Sequence, residues 1–174
     1  MLAGLIFASE DAADRPGTLA ATLPFGGMTL LEYQARLLAA AGVGHLLVAV
    51  GRVTPALLGA TSRIGKRGMS VDIVRSAAEA ASRVHPLAGV LVVADGLVTT
   101  EAMVAAMAEA PHDTVLVAPA GEDDDGERID ADTAWAGLAT VAAGRLRDVA
   151  ALPREYDFQS ALLRTVAQVP ARHV

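Results

Sequence analysis

PFGGMTLLEYQARLLAAAGVGHLLVAV, from Pro24 to Val50, sets a turn, a helix and a strand in the order that builds an α/β sheet. Pro24-Phe25-Gly26-Gly27 is a turn. From Met28 to Ala41 the residues Leu30, Leu31, Gln34, Leu37, Leu38 and Ala41 recur at helical spacing. Thr29 is placed to cap that helix, Glu32 three residues on completes a capping box, and Gly42 ends it. His45 to Val50 is an apolar strand closed by Gly51.

On both sides the same alternation continues. Leu2 to Ala8 reads as a buried strand, and a helix is expected from Thr54, with Pro55 in its first turn. Strands follow at Val71 to Val74, Gly89 to Ala94, Thr114 to Ala118 and Trp135 to Val141. Helices are expected over Ala77 to Val84, Thr100 to Ala110, Arg145 to Ala150 and Phe158 to Gln168, with Pro153 breaking the chain before the last. The expected architecture is α/β: three α-β-α layers around a mixed, predominantly parallel sheet of about six or seven strands. One domain spans residues 1–169, and 170–174 is a frayed tail or the start of a linker.

With 174 residues, 53% of them hydrophobic and 20% charged, the chain can bury roughly two-thirds of its unfolded surface. A net charge of -6 and 3% aromatic residues speak against a nucleic-acid surface, which wants a basic patch and stacking platforms. Without cysteine there are no disulfides, thiolate metal sites or cysteine nucleophiles. The first residues lack a basic signal-peptide start, and no apolar run approaches the ~20 residues that span a bilayer. The expected location is the cytoplasm.

Several stretches carry a family resemblance. The strand Leu5-Ile6-Phe7 leads into Ala8-Ser9-Glu10-Asp11-Ala12-Ala13-Asp14-Arg15, then comes the Pro24 to Glu32 turn and helix start, then Ala41-Gly42-Val43 with its strand and Gly51. Leu91-Val92-Val93-Ala94-Asp95 and Ala136-Gly137-Leu138 follow. This resembles the nucleotidyltransferases, which activate sugars and alcohols as nucleotide diphosphates, in the Rossmann-like, MobA-like form. The likeness implies Ala8, Ser9, Gly26 and Gly27 as nucleotide-binding positions, Arg15 as a phosphate contact in catalysis, Asp95 and Asp157 as Mg²⁺ ligands, and Gly137 facing the sugar or acceptor. Asp95-Gly96 also reads as a plain strand-to-helix turn, and Asp157 as an N-cap for the last helix.

The departures from the family pattern fall on its chemistry. Glu10 and Ala12 replace the loop glycines that let amides approach a triphosphate, and Asp11 and Asp14 stand beside them. Each carboxylate within ~4 Å of a phosphate costs about 1 kcal/mol in water and about 4 where partly buried. The family lysine aligns near Ala20, and Lys66 is the only lysine in the chain. Arg75 is a candidate replacement.

Other groupings carry less. The acidic loop from Gly121 to Asp132 misses the first and last ligands of an EF-hand. Arg63, Lys66 and Arg67 read as a solvated helix end, with a phosphate or an acidic partner as the alternative. His45, His85, His112 and His173 show no ligand spacing, and Tyr33 and Trp135 read as packing residues.

Three functions follow from these readings. The first is a nucleotidyltransferase-like domain with degenerate catalysis, used for binding, assembly or regulation beside a protein partner, a fused enzyme domain or further copies of itself. The second is an active Mg²⁺-dependent enzyme joining an NTP and a phosphorylated acceptor, with release of pyrophosphate. The third is an unrelated doubly wound interaction domain.

Overall fold

A computed structural model of the chain describes residues 1–122, 126–168 and 172–174. The strands are β1 (Leu2–Phe7), β2 (Asp11–Ala12), β3 (Arg15–Leu19), β4 (Pro24–Phe25), β5 (Met28–Thr29), β6 (His45–Ala49), β7 (Ser70–Val74), β8 (Gly89–Val93), β9 (Thr114–Pro119), β10 (Thr133–Ala142) and β11 (Arg172–His173). The helices are α1 (Leu30–Ala40), α2 (Pro55–Lys66), α3 (Ala77–Arg83), α4 (Glu101–Glu109), α5 (Gly144–Ala150) and α6 (Phe158–Gln168).

Seven strands form one sheet in the order β7-β6-β1-β8-β10-β9-β11. All its pairings are parallel except the two made by β10. The expected mixed, mostly parallel sheet is therefore present. β1 is flanked by β6 at Leu5↔Leu47 and by β8 at Leu5↔Val92, which makes it a central strand. Alternate residues serve opposite faces. Leu5, Leu47 and Val92 pack with Leu146 of α5 and Leu162 of α6, while Ile6, Val48 and Leu91 pack with Leu38 of α1 and Leu57 of α2. A strand buried on both faces has no polar side, which is why these segments read as continuous apolar runs.

The local signals do as expected. Thr29 Oγ1 accepts from Glu32 N at 3.2 Å and Glu32 Oε2 accepts from Thr29 N at 2.9 Å, closing the capping box of α1. At its far end Gly42 adopts φ +95, Val43 N donates to Leu38 O, and Gly42 N donates to Ala39 O: a Schellman stop. The helix starts at Leu30 rather than Met28, because Met28 and Thr29 pair with Phe25 and Pro24 in a hairpin.

Two segments differ from expectation. Asp11 to Leu19 is a small antiparallel hairpin rather than a plain loop. Arg172–His173, expected to fray, pair in parallel with β9. Asp123 to Asp125 of the acidic loop, and the expected domain boundary at 169, lie outside the described residues. No helix among the described residues is long and apolar enough to cross a membrane.

Candidate functional site

A cavity of about 790 Å³ opens where the parallel strands end. Its wall takes Phe7, Ser9 and Glu10 after β1, Ala49 to Gly51 after β6, Arg75 and Ser76 after β7, and Asp95 after β8. The segment joining α5 to α6 supplies Leu152, Arg154, Tyr156 and Asp157. Loops at the carboxyl ends of strands on either side of a central strand leave a crevice, the usual ligand position in an open α/β sheet.

Asp95 lies in the wall of that crevice, and its carboxylate is already engaged. Oδ2 accepts from Ser9 N at 2.6 Å and from Glu10 N at 2.7 Å, both short enough to be charge-assisted. Oδ1 is shut off from solvent, with no hydrogen-bond partner among the described residues. Burial raises the Asp95 pKa to about 6; the two amide bonds oppose that rise, and the neighbouring Glu10 charge adds to it. Asp95 N in turn donates to Gln159 Oε1 at 3.4 Å.

These atoms do not fit Mg²⁺. That ion demands near-octahedral oxygen ligation and keeps several waters, whereas one Asp95 oxygen is held by amides and the other is inaccessible. Among the described residues no three His, Asp or Glu side chains converge on a metal-sized space. Asp157 lines the cavity, but its Oδ2 accepts from Ser160 N at 3.0 Å, so it caps α6.

The remaining expected positions scatter. Ser9 lines the cavity, while Ala8 is wholly buried in the core with its N–H bonded to Ala49 O. Arg15 is exposed on β3, away from the cavity wall. Gly26 and Gly27 form the two-residue turn of the β4–β5 hairpin with φ +59 and +83. Positive φ at both positions is what a type I′ turn requires, so the turn accounts for both glycines, and neither lines the cavity. Gly137 lies in β10 at a shift of register, with φ +93, and its carbonyl accepts from Ala94 N at 2.9 Å.

The acidic loop after β1 is partly neutralised. Asp11 accepts from Gly17 N at 3.0 Å and pairs with Arg52; the amide bond first and the guanidinium second hold its carboxyl below the usual range. Arg63, expected to be solvated, bonds Glu32 through Nε at 2.9 Å, tying α2 to α1. Arg75 and Arg154 reach the cavity with no carboxylate partner for either guanidinium among the described residues. Arg154 and Tyr156 carried no signal in the sequence, since they belong to a connector recognisable only by where it folds.

No family model and no curated protein matches the chain. Solved structures do. A nucleotidyl transferase from Methanothermobacter aligns with a TM-score of 0.63 at 20% identity, covering 99% of this chain and 85% of its own. A Bacillus anthracis protein assigned as a glucose-1-phosphate thymidylyltransferase, solved with sucrose, reaches 0.72 at 11% identity over 100% and 86%. A UDP-glucose pyrophosphorylase complexed with UDP-glucose reaches 0.64 at 12% identity over 96% and 87%. With its crevice at the ends of β1 and β8, and with these likenesses over nearly its whole length, the chain has the nucleotidyltransferase fold.

Proposed function

We propose that this chain is a nucleotidyltransferase-like domain that has lost NTP chemistry and serves binding, assembly or regulation. One observation carries the reading: the amides of Ser9 and Glu10, where a phosphate would be held, are occupied by the protein's own Asp95 carboxylate. Hydrogen bonds to a charged group contribute about 1.5–3 kcal/mol each, so an incoming triphosphate must displace two of them before gaining any. It would then face Glu10, and Ala20 in place of a cation. Without Mg²⁺ ligation or that lysine, only the guanidiniums of the cavity wall are left to offset the charge developing on the oxygens of a transferred phosphoryl group.

The ligand class that suits this reading is a nucleotide or a nucleotide-activated small molecule, bound without turnover. The partner is a protein, a fused enzyme domain or a second copy of the chain. Arg75 and Arg154 in the cavity favour the alternative of a divergent active enzyme, because two unpaired guanidiniums could steady phosphates. Pyrophosphate release separates the two. The protein is incubated with each of four NTPs, Mg²⁺ and a panel of sugar and alcohol phosphates. No release above the protein-free rate is expected; release lost in Arg75→Ala would establish the active enzyme instead. The strand order and the structural likenesses speak against an unrelated interaction domain.

A further inference from the structure

We propose that Asp95 is an internal plug: its carboxylate fills an anion seat at the strand ends, and Leu97, packed on Gly137, holds it in place. The proposal rests on the reading of the site given above. The seat is the pair of adjacent amides at Ser9 and Glu10, both donating to Asp95 Oδ2. Successive N–H groups aimed at one oxygen make a backbone concavity suited to an anion.

Leu97 is held on the bare backbone of Gly137, outside the cavity wall. A Cβ there would lie 2.6 Å from Leu97 Cδ1 and 2.9 Å from Leu97 Cδ2, so the Leu97 side chain rests directly on the glycine. Gly96, at φ +71, makes the turn between Asp95 and Leu97. A Cβ on Gly96 would lie 3.9 Å from Ala20 Cβ, ordinary van der Waals contact, so residue 20 neighbours the segment without crowding it.

The segment is fastened from two sides. Gln34 Nε2 of α1, almost wholly buried, donates to Leu97 O at 2.9 Å and to Ala94 O at 3.3 Å. Tyr33 Oη donates to Thr99 O at 2.7 Å, and Ala94 N donates to Gly137 O of β10. Gln34 and Tyr33 lie on the helix whose capping box and Schellman stop fix its ends, so the anchors are rigid.

The test is titration of inorganic pyrophosphate, without metal or nucleotide, into wild type, Asp95→Ala and Asp95→Asn, followed at the Ser9 and Glu10 amide resonances. Asp95→Ala is expected to bind pyrophosphate at least about tenfold more tightly than wild type, with shifts centred on those two amides. Asp95→Asn keeps an acceptor of the same shape and is expected to stay close to wild type. A folded Asp95→Ala that gains no affinity, or a wild type that binds as tightly as the variant, would overturn the plug.

Should Asp95→Ala not fold, Leu97→Ala gives the answer. Uncovering Gly137 is expected to speed hydrogen exchange at Ser9 and Glu10 about tenfold or more, since the segment seats as one piece. Unchanged exchange would overturn it. Because the experiment contains neither metal nor NTP, its failure is distinct from a finding of nucleotide turnover.

Discussion

Two carboxylates pull the stability of this protein in opposite directions with pH. Glu32 is buried; burial alone would raise its pKa, but the bonds from Arg63 and from the amide and hydroxyl of Thr29 outweigh that and bring it from 4.5 to about 2. A carboxyl whose pKa is lower folded than unfolded adds stability that is fully present above about pH 4.5 and is lost as pH falls towards 2. Asp95 is the reverse. Its pKa rises from 3.8 to about 6 on folding, so the folded state holds the proton better and stability falls as pH rises from about 4 to 6. Urea unfolding across pH 4.5 to 7 should therefore show wild type losing about 2 kcal/mol while Asp95→Asn stays level. A wild type as flat as the variant would mean that Asp95 is not buried in this way. Glu32→Gln should cost about 2 kcal/mol near pH 7, less than a fully buried pair because the Arg63 side chain is half exposed.

Whole elements were legible where their signals are local. Thr29, Thr54, Ser76 and Thr100 each accept a backbone N–H at the start of their helix, and each lies within three residues of its donor. The β2–β3 hairpin was not legible, since two-residue pairing with Pro16 and Gly17 in one arm offers no alternation to read. Arg52 with Asp11, and Asp95 with Ser9 and Glu10, join residues far apart in the chain, and no spacing rule brings them together. At the Gly26-Gly27 turn the resemblance expects glycines that approach a nucleotide, and the hairpin itself requires positive φ at both positions. Gly27→Ala forces an L-residue to φ +83 and should cost about 1 kcal/mol by urea unfolding. Any response of the protein to pyrophosphate should stay unchanged, because that turn is outside the cavity.

Across the whole molecule, two apolar clusters sandwich one sheet, and the runs that build them made the fold readable from the sequence. The same runs say nothing about the crevice, which depends on what the loops at the strand ends do once the sheet has brought them together. There the likeness to nucleotidyltransferases holds for the scaffold, and the function proposed above has the chemistry closed off by residues of the scaffold itself. The most direct test of that claim is thermal unfolding against ATP, CTP, GTP and UTP, each with Mg²⁺ and with EDTA. A ligand at 100 times its Kd adds ~2.7 kcal/mol, a shift of several degrees at this size. No metal-dependent shift is predicted for any of the four. A Mg²⁺-dependent rise with one nucleotide, lost in Asp95→Asn, would contradict the account and restore Asp95 as a working metal ligand.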